Sequence, residues 1–177
     1  MNAAIQISRL EKSYGGRPVL RGLTFHVKRG EIFALLGVNG AGKTTALECI
    51  EGLRRPDAGD ITVDGRMGIQ LQSASLPAHI RPMEAVRLFA EWNKAAADPS
   101  MLKSLGIPGL NKKPYAALST GQKRRLHLAL SLIGDPDVVF LDEPTAALDA
   151  IAESEMYKMV NNLVEDHTAL FISHRLS

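Results

Sequence analysis

One cysteine, Cys49, leaves this chain unable to close an intramolecular disulfide, so the thiol reads as a small core residue and a reducing, cytoplasmic setting is the default. No apolar run approaches the length needed to cross a bilayer, and residues 1–10 lack the charged start, apolar block and small-residue cleavage site of a secretory signal. Charge of one sign is scarce as well. The net charge is +2, and Arg54-Arg55, Lys112-Lys113 and Lys123-Arg124-Arg125 are scattered among acidic residues, so no basic stripe offers itself to nucleic acid. Internal repeats and low-complexity tracts are absent. What remains is 177 residues, 45% hydrophobic and 23% charged, enough for one well-buried core and too few for two ordinary domains.

Within that core the most informative stretch is Gly37-Val38-Asn39-Gly40-Ala41-Gly42-Lys43-Thr44-Thr45, directly after the apolar run Ile32-Phe33-Ala34-Leu35-Leu36. The order of strand, glycine-rich loop and helix fits a phosphate-binding loop. Glycines let the backbone turn its N–H groups onto the β-phosphate, Lys43 reaches the outer phosphates, and the Thr44 hydroxyl ligates Mg²⁺. Ala46, Leu47, Ile50 and Leu53 then recur at helical spacing until Pro56, so the loop opens a helix.

Around this loop, residues 4–10 and 24–27 read as strands, Gly15-Gly16 as a turn, Arg29-Gly30 as the entry to the loop strand, and residues 60–63 as a strand closed by Asp64-Gly65. From about residue 73 to 117 the pattern turns helical. Pro82 sits where a first helical position would be, and Val86, Phe89, Trp92 and Ala96 form an apolar stripe, ended by Asp98-Pro99, that reads as packing.

Further on, Ser119 and Gln122 have capping-box spacing, and Leu126, Ala129, Leu130 and Ile133 give the helix they start a buried face. On these residues alone the box either caps a helix or, with Gly121 allowing close approach, presents an N-terminus to an anion. The run Val138-Val139-Phe140-Leu141 then delivers Asp142 and Glu143 to the carboxyl end of a buried strand, where open α/β sheets place their ligands. Asp142 is suited to hold Mg²⁺ opposite Thr44, and Glu143 to polarise an attacking water. A last strand candidate, residues 169–172, brings Ser173-His174 to the same edge.

Taken together and in order, these motifs resemble the nucleotide-binding domain of ABC-type ATPases, over the whole chain. Gly37 to Thr45 resembles Walker A, Gln72 the Q-loop glutamine, and Leu118-Ser119-Thr120-Gly121-Gln122 the signature sequence. Val138 to Glu143 resembles Walker B, Ala147-Leu148-Asp149 the D-loop, His174 the switch histidine, and Tyr14 the aromatic that stacks on adenine. The resemblance implies an α/β fold: a P-loop NTPase (RecA-like) core with an N-terminal antiparallel β-subdomain and an inserted helical lobe, C-terminally short.

It further implies ATP and Mg²⁺ as cofactors, with Gly37, Asn39, Gly40, Ala41, Gly42, Lys43, Thr44 and Thr45 on the phosphates, and Thr44, Gln72 and Asp142 at the metal. Lys43, Gln72, Glu143 and His174 would be the catalytic set. A second cassette would contribute Ser119, Gly121, Gln122 and Asp149 across a head-to-tail dimer, and Gln72 would pass the motion to an integral-membrane permease, holding the chain at the cytoplasmic face of the membrane. The form Gly68-Ile69-Gln70-Leu71-Gln72 looks like export cassettes. A soluble non-transport ABC-type ATPase and a shortened nucleotide-binding regulatory module are the alternatives. The chain departs from the family pattern at Thr120, where glycine is common, at Ala146-Ala147, where serine and glycine are usual, and in stopping at Ser177, three residues past His174.

Overall fold

The computed structural model describes residues 3–70, 75–142 and 167–173, together with Ser154 and Lys158. Two sheets and a group of helices build it. β1 (Ala3–Tyr14) and β2 (Arg17–Lys28) form a long hairpin, joined on the other edge of β1 by β4 (Ala58–Val63), all antiparallel. β1 and β2 outrun the sequence expectation at both ends because the hairpin pairs from Ala3 opposite Lys28 to its two-glycine turn, Tyr14 opposite Arg17. The second sheet is parallel, in the order β3 (Ile32–Leu36), β7 (Thr168–Ser173), β6 (Val138–Asp142), β5 (Met67–Gln70).

Period-two alternation along the parallel strands makes two cores from one sheet. Val138, Phe140, Leu170 and Ile172 pack with Ala46, Leu47 and Ile50 of α1 (Lys43–Ile50) and with Ile5, Ile7 and Leu10 of β1. Val139, Leu141 and Ala169 point the other way, into the helices α2 (Pro82–Asn93), α3 (Pro99–Ser104), α4 (Ile107–Leu110) and α5 (Thr120–Ser131). All five residues of β6 are buried, as a strand covered on both faces requires. On β5, Gly68 leaves room for the end of α5: a Cβ there would lie 2.1 Å from the Ser131 carbonyl oxygen.

An ion cluster ties the entry of three strands together. Arg29 meets Asp64 at 2.6 Å and Asp137 at 3.4 Å, and Asp137 accepts the Arg66 backbone N–H at 2.8 Å. That backbone bond, with Arg29 beside it, holds the Asp137 carboxyl below its usual range.

Three expectations are corrected. Helix α1 stops at Ile50 and Gly52 turns with φ of 77°, so Leu53 falls outside it and is exposed. The stripe on α2 packs only in its first half: Val86 is buried and Phe89 half-buried against the core, but Trp92 is 84% exposed and Ala96 is exposed beyond the helix. Steps of three residues fall about 60° short of a full turn each time, so Trp92 stands about 120° from Val86 around the helix. Asp98, finally, begins a helix rather than ending one, for its side chain accepts from the Ser100 and Met101 N–H groups at the start of α3, while α2 ends at Lys94 in a left-handed conformation.

Candidate functional site

The loop between β3 and α1 is shaped by a backbone that only glycine adopts readily. Gly42, the residue before the helix, has φ of 87°, and a Cβ on it would come within 2.8 Å of Val19 Cγ1. Gly42 has no side chain with which to cap α1, and the first bond along the helix backbone runs from the Ala46 N–H to the Gly42 carbonyl at 2.8 Å. The N–H groups of Lys43, Thr44 and Thr45 therefore precede the helical ladder, which makes the first turn a donor surface with a partial positive charge.

Lys43 is 6% exposed, and its Nζ donates to the carbonyls of Gly37 at 2.7 Å and Val38 at 3.0 Å. The ammonium thus lies within the arc of the loop. Asn39, Gly40, Ala41 and Thr44 are exposed, and Thr45 is half-buried. Between β2 and the loop opens a cleft of about 360 Å³, whose lining includes Val19, Leu20, Leu23, Gly42, Lys43 and Ala46. Tyr14 is not part of that lining. Its ring, 40% exposed at the hairpin end, lies near Lys12 and Arg54. Val19 and Leu20 escaped sequence reasoning because nothing local marks a strand residue that packs on a distant glycine.

Asp142 ends β6, 5% exposed, and alternation puts it on the same side as Phe140, facing α1. Its field is felt on that helix: burial, then the charges of Asp142 and Glu48, push the Glu51 carboxyl up to about 8. Glu51 was not singled out from sequence, and among the described residues neither of its oxygens has a hydrogen-bond partner. The hydroxyl of Thr44 and the carboxylate of Asp142 are hard oxygen donors of the kind Mg²⁺ takes. Among the described residues no cluster of three or more His, Cys, Asp or Glu offers a competing metal site.

At the start of α5 the capping box forms in both directions. Ser119 Oγ accepts the Gln122 N–H at 3.3 Å, and Gln122 Oε1 accepts the Ser119 N–H at 3.0 Å. The box leaves the N–H groups of Thr120 and Gly121 to other partners. Further along, His127 shares a 2.9 Å hydrogen bond with the Tyr115 hydroxyl, and burial, with the charges of Arg124 and Lys123, lowers its pKa. Gln72, Glu143, Asp149 and His174 lie outside the described residues.

Residues 20–146 match the family model described as ABC transporter. Over 97% of its length the chain is 37% identical to the Nod factor export ATP-binding protein I of Burkholderia thailandensis, and it spans 63% of that protein. It is 36% identical, again over 97%, to the aliphatic sulfonates import ATP-binding protein SsuB 1 of Nocardia farcinica, spanning 71% of it. A metal-chelate type ABC transporter solved in an inward-facing conformation superposes with a TM-score of 0.87 at 28% identity, covering 99% of this chain and 74% of that one. With an open-ended helix behind a glycine-shaped loop, a buried aspartate facing that helix, and likeness along nearly its full length to ATP-binding proteins of this kind, the chain belongs to the ABC transporter family.

Proposed function

We propose that this chain is the ATP-binding and ATP-hydrolysing cassette of a membrane transporter, one domain with the helices between β5 and α5 as an inserted lobe. The observation that carries the reading is the first turn of α1, opened by the left-handed Gly42 that has no side chain to cap it, beside the inward-folded Lys43. Backbone donors that precede the helical ladder, next to a buried ammonium, are placed to receive a polyphosphate.

In this reading the N–H groups from Gly40 to Thr45 hold the β-phosphate, Lys43 exchanges its bonds to Gly37 and Val38 for the outer phosphate oxygens, and Tyr14 offers its ring to the base. Thr44, Gln72 and Asp142 would hold Mg²⁺, which when bound supplies counter-charge to the terminal phosphates. Glu143 and His174 orient the attacking water. Little covalent work is asked of the protein, since phosphoryl transfer depends on positioning and charge stabilisation.

The second half of the site comes from another copy. Ser119, with the Thr120 and Gly121 N–H groups that the capping box leaves over, would meet the γ-phosphate in trans, with Gln122 and Asp149 nearby. Closure then lasts while that phosphate is attached, and its loss removes the charge that drew the helix in. A permease at the cytoplasmic face of the membrane would receive the motion through Gln72. Export is the direction we assign, from the Gly68 to Gln72 form and the export protein at 37% identity, set against an import protein at 36%. Transport by the chain reconstituted with its permease tests that direction.

For the cassette itself, Glu143→Gln is expected to keep ATP binding and to elute as a dimer on size-exclusion with ATP. Elution as a monomer, with ATP bound, would overturn the head-to-tail mechanism.

A further inference from the structure

Tyr14 does not stand by itself at the hairpin end. The Arg54 guanidinium lies 5.4 Å from the centre of its ring and the Lys12 ammonium 5.8 Å. Each cation is held in turn by its own carboxylate, Arg54 Nε by Glu48 at 2.6 Å and Lys12 Nζ by Asp57 at 2.6 Å. Asp57 is anchored as well, accepting the Ser13 N–H at 2.6 Å. Glu48 sits on α1, the helix whose first residue is Lys43. The ring is thus linked by one ion pair to the element that carries the phosphate loop.

We propose that Arg54, held by Glu48, is a positioning residue that fixes the Tyr14 ring for the purine of a bound nucleotide. The inference rests on the reading of Tyr14 as the base platform. A surface tyrosine on a hairpin turn samples several rotamers, and each bound base must select one of them. A cation over the ring narrows that choice before the base arrives. It also draws on the ring's electron-rich face, an attraction that persists at solvent-exposed sites. The ring remains 40% exposed, so surface is left for a base to cover. Because the holding carboxylate belongs to α1, the ring is kept at a set distance from the loop, which suits a ligand whose base and phosphates are covalently joined.

The test is calorimetric titration of the full chain with ATP and, separately, with inorganic tripolyphosphate, which has no base. Arg54→Ala is expected to raise the Kd for ATP about two- to fivefold, the effect of an exposed cation–π contact, and to leave the tripolyphosphate Kd as it was. Steady-state turnover should show KM rising with kcat unchanged. Arg54→Lys keeps a cation and should recover most of the loss, whereas Glu48→Gln frees the guanidinium and should weaken ATP in the same direction. If Arg54→Ala leaves ATP affinity intact, or weakens both ligands equally, the positioning role is overturned. Tyr14→Ala separates the two ideas. Should it weaken ATP while Arg54→Ala does not, the base platform stands and the clamp falls; should it change nothing, the platform and the clamp fall together. Wild-type chain that binds neither ligand would refute the cassette function itself.

Discussion

At the start of α1 the capping position is held by Gly42, which is in a left-handed conformation and has no side chain to offer the first N–H groups; at the start of α5 Ser119 and Gln122 fill that role for each other. A glycine in the capping position costs a little folding free energy, typically a few tenths of a kcal/mol relative to a good cap. The chain accepts that cost at one helix and avoids it at the other. In the proposed cycle α1 holds phosphate within its own subunit, so an unfilled end stays ready for a ligand. Helix α5 must stay ordered while it waits for a partner, and the capping box keeps it so with two N–H groups to spare.

The strongest way to break this contrast is to remove the charge at the open end. Lys43→Ala should lower ATP turnover by about a thousandfold, the upper range for losing one preorganised stabilising group, and weaken ATP binding as well. Turnover within tenfold of wild type would show that the loop is not where phosphate is held. At the closed end, Ser119→Ala should cut turnover by about a hundredfold while leaving ATP affinity of the monomer nearly as it was. It should also take about 1 kcal/mol from stability through the lost cap. A variant that loses only the stability would reduce Ser119 to a helix starter.

Smaller effects sharpen the comparison. Gly42→Ala sets a Cβ against Val19 at a φ of 87°, and the left-handed strain alone should cost about 1–2 kcal/mol, readable as a lower urea midpoint. An unchanged midpoint would mean that the loop relaxes freely. The smallest effect is in pH dependence. Glu51 on the α1 side has its carboxyl raised to about 8, so the folded chain binds a proton that the unfolded chain releases from its ordinary value near 4.5. Stability from this group is therefore greatest at low pH and is lost as pH rises toward 8. His127 on α5 has the opposite sign: lowered by burial and by Arg124 and Lys123, it makes stability fall as pH drops below the ordinary histidine value of 6.5. Glu51→Gln should gain about 2–4 °C in melting temperature on wild type at pH 8 relative to pH 6, the shift that about 1 kcal/mol produces in a domain of this size. A gain equal at both values would show that Glu51 does not titrate in that window.

Much of the framework was legible because it is written locally. The residues 32–36 of β3 and the run 138–141 of β6 are apolar stretches bounded by turn residues, and the strands begin and end there within a residue. Ser119 with Gln122, and Pro82 at a helix start, are chemical instructions complete within one turn, and both were followed. What could not be read is what tertiary contact decides. Trp92 looked buried because an apolar residue at a step of three resembles a stripe, but the helix rotates it away from the sheet. Val19 on Gly42, Arg54 on Tyr14 and the lonely carboxyl of Glu51 join residues far apart in the chain or depend on what surrounds them. No spacing rule carries such information.

The missing Cβ of Gly68 has a mechanical consequence. Because the tail of α5 rests directly against β5, with the Ser131 carbonyl where a side chain would be, that end of the helix is fixed to the sheet and Ser119 lies a full helix length from the anchor. Twelve residues make an arm about 18 Å long. A tilt of about 10° at the anchor would carry Ser119 about 3 Å, roughly the difference between touching a ligand oxygen and missing it. Filling that notch with a larger residue would loosen the anchor, and with it the coupling between sheet and tip.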